Sequence, residues 1–397
     1  SAAVDDDRVE SYEPALEGAS ADLHPDLPAG SEYGVFFTSG TTSQPKAVRF
    51  DAEQMWLGAT QVVMEMGIDE TDTALVTTPW YHMVTTDAWI LPHLLAGATL
   101  VVQSEFDPET SLEHMAEHDV TGLLAVPTQL DALIEEQADG GYGIDDLSYI
   151  RTGGSIVTDE MVRRASEHLT EGVYNSYGLT EGGPNLTFAH PSVQDEHTGT
   201  VGKQSFMWDL RVVEAASPTE DPDVTAEVDP GGRGEIVVRG PGMSDGYMDN
   251  PEAEEHLFAD GWLRTGDVAR VDEDGYLYIV DRVDNMIISG GENVYPEEVQ
   301  RAVEEHEAVD ECLVVGLDDD HWGQAVACVV VTDGDVTEEE LEEFCLAHGT
   351  LADFKRPRRY AFRSDPLPRT DTGTVRRNEV VAAHFEGGEK VGENGRR

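Results

Sequence analysis

Between residue 33 and about residue 200 the chain repeats one pattern, a short apolar run, a loop of small or polar residues, then an amphipathic stretch. The apolar runs include GVFFT, TALVTTP, ATLVVQ, GLLAVPT and LSYIRTGG, with helical stretches such as 109–118 and 158–169 between them. Strands that return through helices lie parallel, so the spacing predicts a largely parallel α/β sheet. Past about residue 200 the helices give way to short strands punctuated by Gly, Pro and Asp (GEIVVRGPG, GWLRTGD, GYLYIVDR), an antiparallel or barrel-like part. From Asp284, strands (ECLVVGL, AVACVVVT) mix with acidic helices (PEEVQRAVEEH, TEEELEEFCLAH), which suits a small α+β domain. The expected organisation is a lead-in over 1–32, a large α/β domain over 33–283, a small α+β domain over 284–385 and a tail over 386–397.

The 397 residues carry 80 acidic against 25 basic side chains, a net charge of −55. Such a chain repels nucleic acid and anionic lipid, and an anionic ligand must be drawn in by local donors. The acid is spread throughout and 39% of residues are hydrophobic, so the balance reads as a folded, salt-adapted surface rather than disorder. No run reaches the roughly 18 apolar residues of a membrane span. Cys312, Cys328 and Cys345 have neither disulfide-framework nor zinc spacing, which leaves a reducing cytoplasm as the expected setting.

Only four lysines occur, Lys46, Lys203, Lys355 and Lys390, so a lysine inside a loop motif carries information. FFTSGTTSQPKAV sets Thr38, Ser39, Gly40, Thr41, Thr42, Ser43 and Lys46 directly after a strand. Small residues let backbone amides approach phosphate oxygens, hydroxyls add donors and the lysine adds charge. The nucleotide-loop string GK[ST] is absent, and a Ser/Thr turn would read the same in isolation.

TSGTTxxPK resembles the phosphate-binding signature of the AMP-forming acyl-CoA synthetases, the adenylate-forming ligases, and further motifs follow in that family's order. NSYGLTEGG resembles the YGxTE segment. By that resemblance Asn175, Ser176, Tyr177 and Gly178 meet the nucleotide, with the aromatic ring stacked on adenine. Thr180 touches phosphate, Glu181 holds Mg²⁺ and Gly183 borders the acyl pocket. Asp267 of GWLRTGD and Arg282 of IVDR are implied to grip the ribose hydroxyls. His82 and Gly153 would line the acyl pocket, and Gly154 and Ser155 approach the adenine. Lys46, Thr180 and Glu181 are the implied catalytic residues.

DRVDNMIISGGENVYPEEV resembles the family's hinge and glycine turn. Asp284 is the implied hinge about which the small domain swings between two half-reactions, and Gly290 and Gly291 let the backbone approach the pantetheine arm of coenzyme A. Trp322, Phe354, Lys355, Arg356 and Arg358 resemble the coenzyme A surface of benzoate-type members, although a KRPRR string is also what a salt-bridge patch at a helix end looks like. The resemblance thus implies ATP, Mg²⁺ and coenzyme A, with a fatty or aromatic acid as substrate.

The chain departs from the family in three places. Thr374 stands where PxxxxGK supplies a lysine, so a slow adenylation step is expected. Ser43 and Ala47 replace two loop glycines. The phosphate loop begins at residue 38, so the N-terminal lobe that precedes it in the family is expected to be missing from this sequence. An adenylation domain serving a carrier protein and a nucleotide-binding relative without catalysis remain the alternatives.

Overall fold

The computed structural model describes residues 28, 30–38, 45–154, 157–194, 196–216, 220–334, 336–349, 351–369 and 375–385. The phosphate-loop residues Ser39, Gly40, Thr41, Thr42 and Ser43, together with Ser155, Thr374, nearly all of the lead-in and the tail, lie outside them.

A hairpin opens the fold, β1 (Glu32–Thr38) antiparallel to β2 (Lys46–Asp51), with Thr38 opposite Lys46. Asp51 ends β2 and caps helix 52–66, accepting from Gln54 N while Gln54 Oε1 accepts from Asp51 N, a reciprocal box that fixes the strand-to-helix corner. The seven-stranded sheet comprises β3 (Thr73–Val76), β4 (Thr99–Val102), β5 (Gly122–Leu124), β6 (Tyr149–Gly153), β7 (Val173–Leu179), β8 (Gly183–Ala189) and β9 (Lys203–Gln204), in the order β4-β3-β5-β6-β7-β8-β9. The first five are parallel, and β8 and β9 run antiparallel.

Helices 108–117, 127–140 and 159–168 supply Leu112, Leu133 and Val162 to the core on one face of this sheet, and helix 52–66 supplies Val62 and Met66 on the other. Asp107 and Thr158 cap two of these helices, which is why the segments start where the amphipathic pattern does.

The barrel-like part is a five-stranded antiparallel sheet of β10 (Asp209–Val213), β11 (Arg233–Arg239), β12 (Phe258–Ala259), β13 (Trp262–Val271) and β14 (Leu277–Arg282), with both β12 and β14 on the outer side of β13. Phe36, Val48 and Phe50 of the opening hairpin share one core with Trp208, Ile236 and Leu263 of this region and with Tyr177 and Leu186 of the first sheet, so the hairpin packs where the two sheets meet.

The small domain holds β15 (Ile287–Ser289), β16 (Glu292–Val294), β17 (Glu311–Asp319), β18 (Gly323–Val331) and β19 (Arg359–Arg363) in the order β16-β15-β18-β17, with β19 parallel to β18. Helices 296–304 and 338–347 cover one face, where all three free cysteines are buried. Among the described residues no helix is long and apolar enough to cross a membrane.

Candidate functional site

The sequence YGLTEGG folds as a hairpin, with Tyr177 and Gly178 late on β7, Thr180 and Glu181 in the turn and Gly183 opening β8. Gly178 is required by packing, because a Cβ there would stand 2.4 Å from the Pro184 carbonyl carbon. Gly153 has a φ of 151° and the same constraint, 2.3 Å from Ser176 O, so the ends of β6 and β7 meet backbone to backbone.

A cleft of about 170 Å³ opens at the carboxyl ends of the parallel strands. Thr78 beyond β3, Ala125 and Val126 beyond β5, Thr152–Gly154 at β6, and Ser176 and Gly178–Thr180 at β7 line it, and His82, Met83 and Leu124 add an apolar wall. This is where open parallel sheets bind ligands, because the loops that follow successive strands converge there. Burial depresses the basicity of His82, favouring a neutral imidazole at the cleft wall. Thr38 Oγ1 and Thr152 Oγ1 are buried and make no hydrogen bond among the described residues, leaving hydroxyl donors for a ligand.

Strand alternation divides the expected nucleotide residues. Ser176 and Gly178 face the cleft, whereas Asn175 donates to Thr200 O at 2.8 Å and Tyr177 turns with it to the other side. There the Tyr177 hydroxyl donates to Asp267 Oδ2 at 2.7 Å, and Arg282 Nη1 lies 3.2 Å from Asp267 Oδ1. Asp267 and Arg282 are direct partners across β13 and β14, so register alone brings the two ribose candidates together. Burial raises the Asp267 carboxyl above its usual range despite its arginine, and Asp267 in turn raises Arg282. The strand carrying Asp267 is held to β11 by a buried ion pair, Arg264 to Glu235 at 2.9 Å, and by Thr265 Oγ1 donating to Ile236 O.

Tyr247 has no counterpart in the motif reading. Its hydroxyl donates to Glu181 Oε1 at 2.5 Å, while Lys46 Nζ lies 4.8 Å over its ring. The residues on either side of it are pinned to β2 by Arg49 N to Gly246 O and Met248 N to Ala47 O. Tyr247 thus joins the lysine of one motif to the glutamate of another. Only a tyrosine shortly before a capped Asn-Pro helix start marked it in the sequence, and that spacing signals nothing by itself.

Glu181 suits a hard cation. Among the described residues its Oε2 accepts no hydrogen bond, and one carboxylate beside substrate phosphates is the usual Mg²⁺ arrangement.

In the small domain the GG turn joins β15 to β16 with positive φ at both Gly290 (64°) and Gly291 (88°), the geometry of a tight hairpin. Gly290 N donates to Trp322 O, and a Cβ at Gly290 would be 3.1 Å from the indole. Arg358 lies 5.2 Å over the same ring.

Phe354 instead packs against the domain core. The rest of the basic string is neutralised, Lys355 by Glu298 at 2.8 Å and Arg356 by Glu342 and Asp353. The structure therefore gathers Gly290, Trp322 and Arg358 and leaves Phe354 and Arg356 in packing and ion pairs. Asp284 is exposed in the turn 283–285, beside the buried cluster of Val268, Val283, Met286 and Tyr295.

The chain matches the AMP-binding enzyme family over residues 2–248 and the AMP-binding enzyme C-terminal domain over residues 298–374. It is 36% identical over 370 residues to a feruloyl-CoA synthase of Amycolatopsis sp, spanning 91% of this chain and 72% of that one. It is 32% identical over 372 residues to an indoleacetate–CoA ligase of Aromatoleum aromaticum, spanning 93% and 71%. Among solved structures it resembles the o-succinylbenzoate coenzyme A synthetase (MenE) of Bacillus subtilis in complex with ATP and magnesium ion. There the TM-score is 0.73 and the identity 30%, over 87% of this chain and 69% of that one.

Proposed function

We propose that this chain, which belongs to the AMP-binding enzyme family, is an AMP-forming carboxylate–CoA ligase whose substrate is an aromatic carboxylic acid. The observation that carries the reading is the convergence of Glu181, Tyr247 and Lys46 on one side of the β7–β8 turn and of the cleft on the other. Aromatic acids are favoured over fatty acids because the feruloyl-CoA and indoleacetate–CoA relatives are named for such acids, and Met83, Leu124 and Leu179 give the cleft an apolar wall compatible with an aryl group.

In the first half-reaction a carboxylate oxygen of the acid bonds to the α-phosphorus of ATP as the bond to pyrophosphate breaks, giving acyl-adenylate. In the second, the thiol sulfur of coenzyme A bonds to the acyl carbon, its proton is lost and AMP leaves. The protein's task is orientation and charge compensation. Lys46 and Thr38, whose hydroxyl has no hydrogen bond among the described residues, are the residues proposed to meet phosphate oxygens. The Asp267–Arg282 pair offers an acceptor and a forked donor to the ribose. Neutral His82 borders the acyl end. Mg²⁺, when held by Glu181, offsets charge as pyrophosphate departs. Gly290, Gly291, Trp322 and Arg358 form the proposed coenzyme A surface, with Asp284 as the proposed hinge between domains 33–283 and 284–385.

The acidic surface supports a salt-rich setting, and three buried free cysteines support a reducing cytoplasm. Neither the fold nor the relatives bear out a slow first half-reaction, and the ligase relatives do not favour a carrier-serving or non-catalytic alternative. The decisive assay incubates the protein with ATP, Mg²⁺, coenzyme A and a panel of ferulate, indoleacetate, 2-succinylbenzoate and decanoate. AMP and an aryl-acyl thioester are expected; thioester from decanoate alone, or ADP as product, would sink the reading.

A further inference from the structure

Arg151 is fully buried in the middle of β6, immediately before the cleft residues Thr152, Gly153 and Gly154. Its guanidinium makes four hydrogen bonds with neutral partners. Nε donates to Ser176 Oγ at 3.0 Å, Nη1 to Ala88 O at 3.1 Å, and Nη2 to Pro184 O at 3.1 Å and Asn185 Oδ1 at 2.8 Å. The Phe188 ring stacks on it at 4.8 Å. Among the described residues no carboxylate forms an ion pair with it. The nearest acid in this network, Asp87, is reached through Asn185 Nδ2 at 3.3 Å; burial raises its carboxyl and the Arg151 charge pulls it back down.

Burying a guanidinium without a direct ion pair is costly even with Asp87 and Glu65 acting at longer range, and packing alone would be served by an apolar residue. What arginine adds is five donors in one plane, able to tie several segments at once. Here they tie β7 four residues before Thr180, β8 three residues after Glu181, and the segment that leads on from cleft residues His82–Val84. Both arms of the turn that carries Glu181 are thereby held from behind by one side chain.

We propose that Arg151 is a positioning residue that sets the Thr180–Glu181 turn for adenylate formation, acting through Ser176, Pro184 and Asn185. A shift of the turn displaces the Glu181 carboxylate relative to Tyr247 and Lys46. It leaves the coenzyme A surface of the small domain untouched, so the two half-reactions respond differently.

The test uses Arg151→Lys in the full chain. Acid-dependent ATP–pyrophosphate exchange is measured against Mg²⁺ concentration, and thioester formation is measured separately from supplied acyl-adenylate. A misplacement of about 1 Å costs roughly 10²-fold, so exchange is expected to fall by ~10² with half-saturating Mg²⁺ raised several-fold. Thioester formation from supplied adenylate stays within a factor of about two.

Equal loss in both half-reactions, or loss in neither, overturns the proposal. Asn185→Ala removes one acceptor only and is expected to show the same split in smaller measure; should Arg151→Lys fail to fold, this variant decides by the same criteria. The proposal rests on the ligase reading. A native protein without exchange for any acid overturns both, whereas native exchange with an unsplit variant overturns the role of Arg151 alone.

Discussion

The Tyr247 hydroxyl donates to Glu181 Oε1 at 2.5 Å, and the two residues stand 66 positions apart in the chain. Glu181 raises the Tyr247 phenol, after burial the largest cause, so the hydroxyl stays protonated as a donor throughout the working pH range. A hydrogen bond to a charged group contributes about 1.5–3 kcal/mol, so Tyr247→Phe should slow pyrophosphate exchange by roughly 10–100-fold. Circular dichroism should show an unchanged fold. Exchange at the native rate would remove Tyr247 from the site.

Gly58 sits inside helix 52–66, where alanine ordinarily stabilises by about 1 kcal/mol. Here the sign reverses. A Cβ at Gly58 would lie 2.7 Å from Asp87 Oδ2, and Asp87 is buried and accepts from Asn185 Nδ2, a bond it would have to disturb to move away. Gly58→Ala should therefore destabilise by about 1–3 kcal/mol in denaturant unfolding.

Asp87 makes stability fall with rising pH. Burial raises its folded-state pKa to about 8, against about 4 in the unfolded chain. The folded state binds the extra proton between those values, so the contribution is whole below pH ~4 and is lost as pH rises through about 8. Asp87→Asn should flatten the melting temperature over that window and melt above the native protein at pH 8.5. A native profile equally flat would contradict the assignment.

A net charge of −55 strains the compact state by self-repulsion. The screening length falls from about 10 Å at 0.1 M salt to about 3 Å at 1 M. The melting midpoint should rise by ~5 °C or more over that range in KCl. A midpoint unchanged or lowered by salt would count against a salt-adapted surface.

Replacing Gly178 by alanine tests the hairpin itself. The Cβ meets β8 backbone at 2.4 Å, which no side-chain rotation relieves. Exchange should drop below detection, while the small domain's Trp322 remains in its native setting by fluorescence.

Local pattern was enough for the order of strands and helices, because periodicity and turn chemistry act over a few residues. Asp267 and Arg282 are named only by the family resemblance, and register makes them partners. Strand alternation was equally local, yet which face of β7 looks into the cleft was not, and that choice sent Ser176 inward and Tyr177 to Asp267.

The basic string at Lys355–Arg358 reads in sequence either as a coenzyme A surface or as a salt-bridge patch, and only the fold, by bringing Glu298 to Lys355 and Glu342 to Arg356, shows ion pairs at these two. Tyr247 and Arg151 carry no motif at all. Their importance comes from contacts across 25 to 66 positions, set by how the hairpin docks on the antiparallel sheet and how β6, β7 and β8 pair, and only the closed tertiary structure creates those distances.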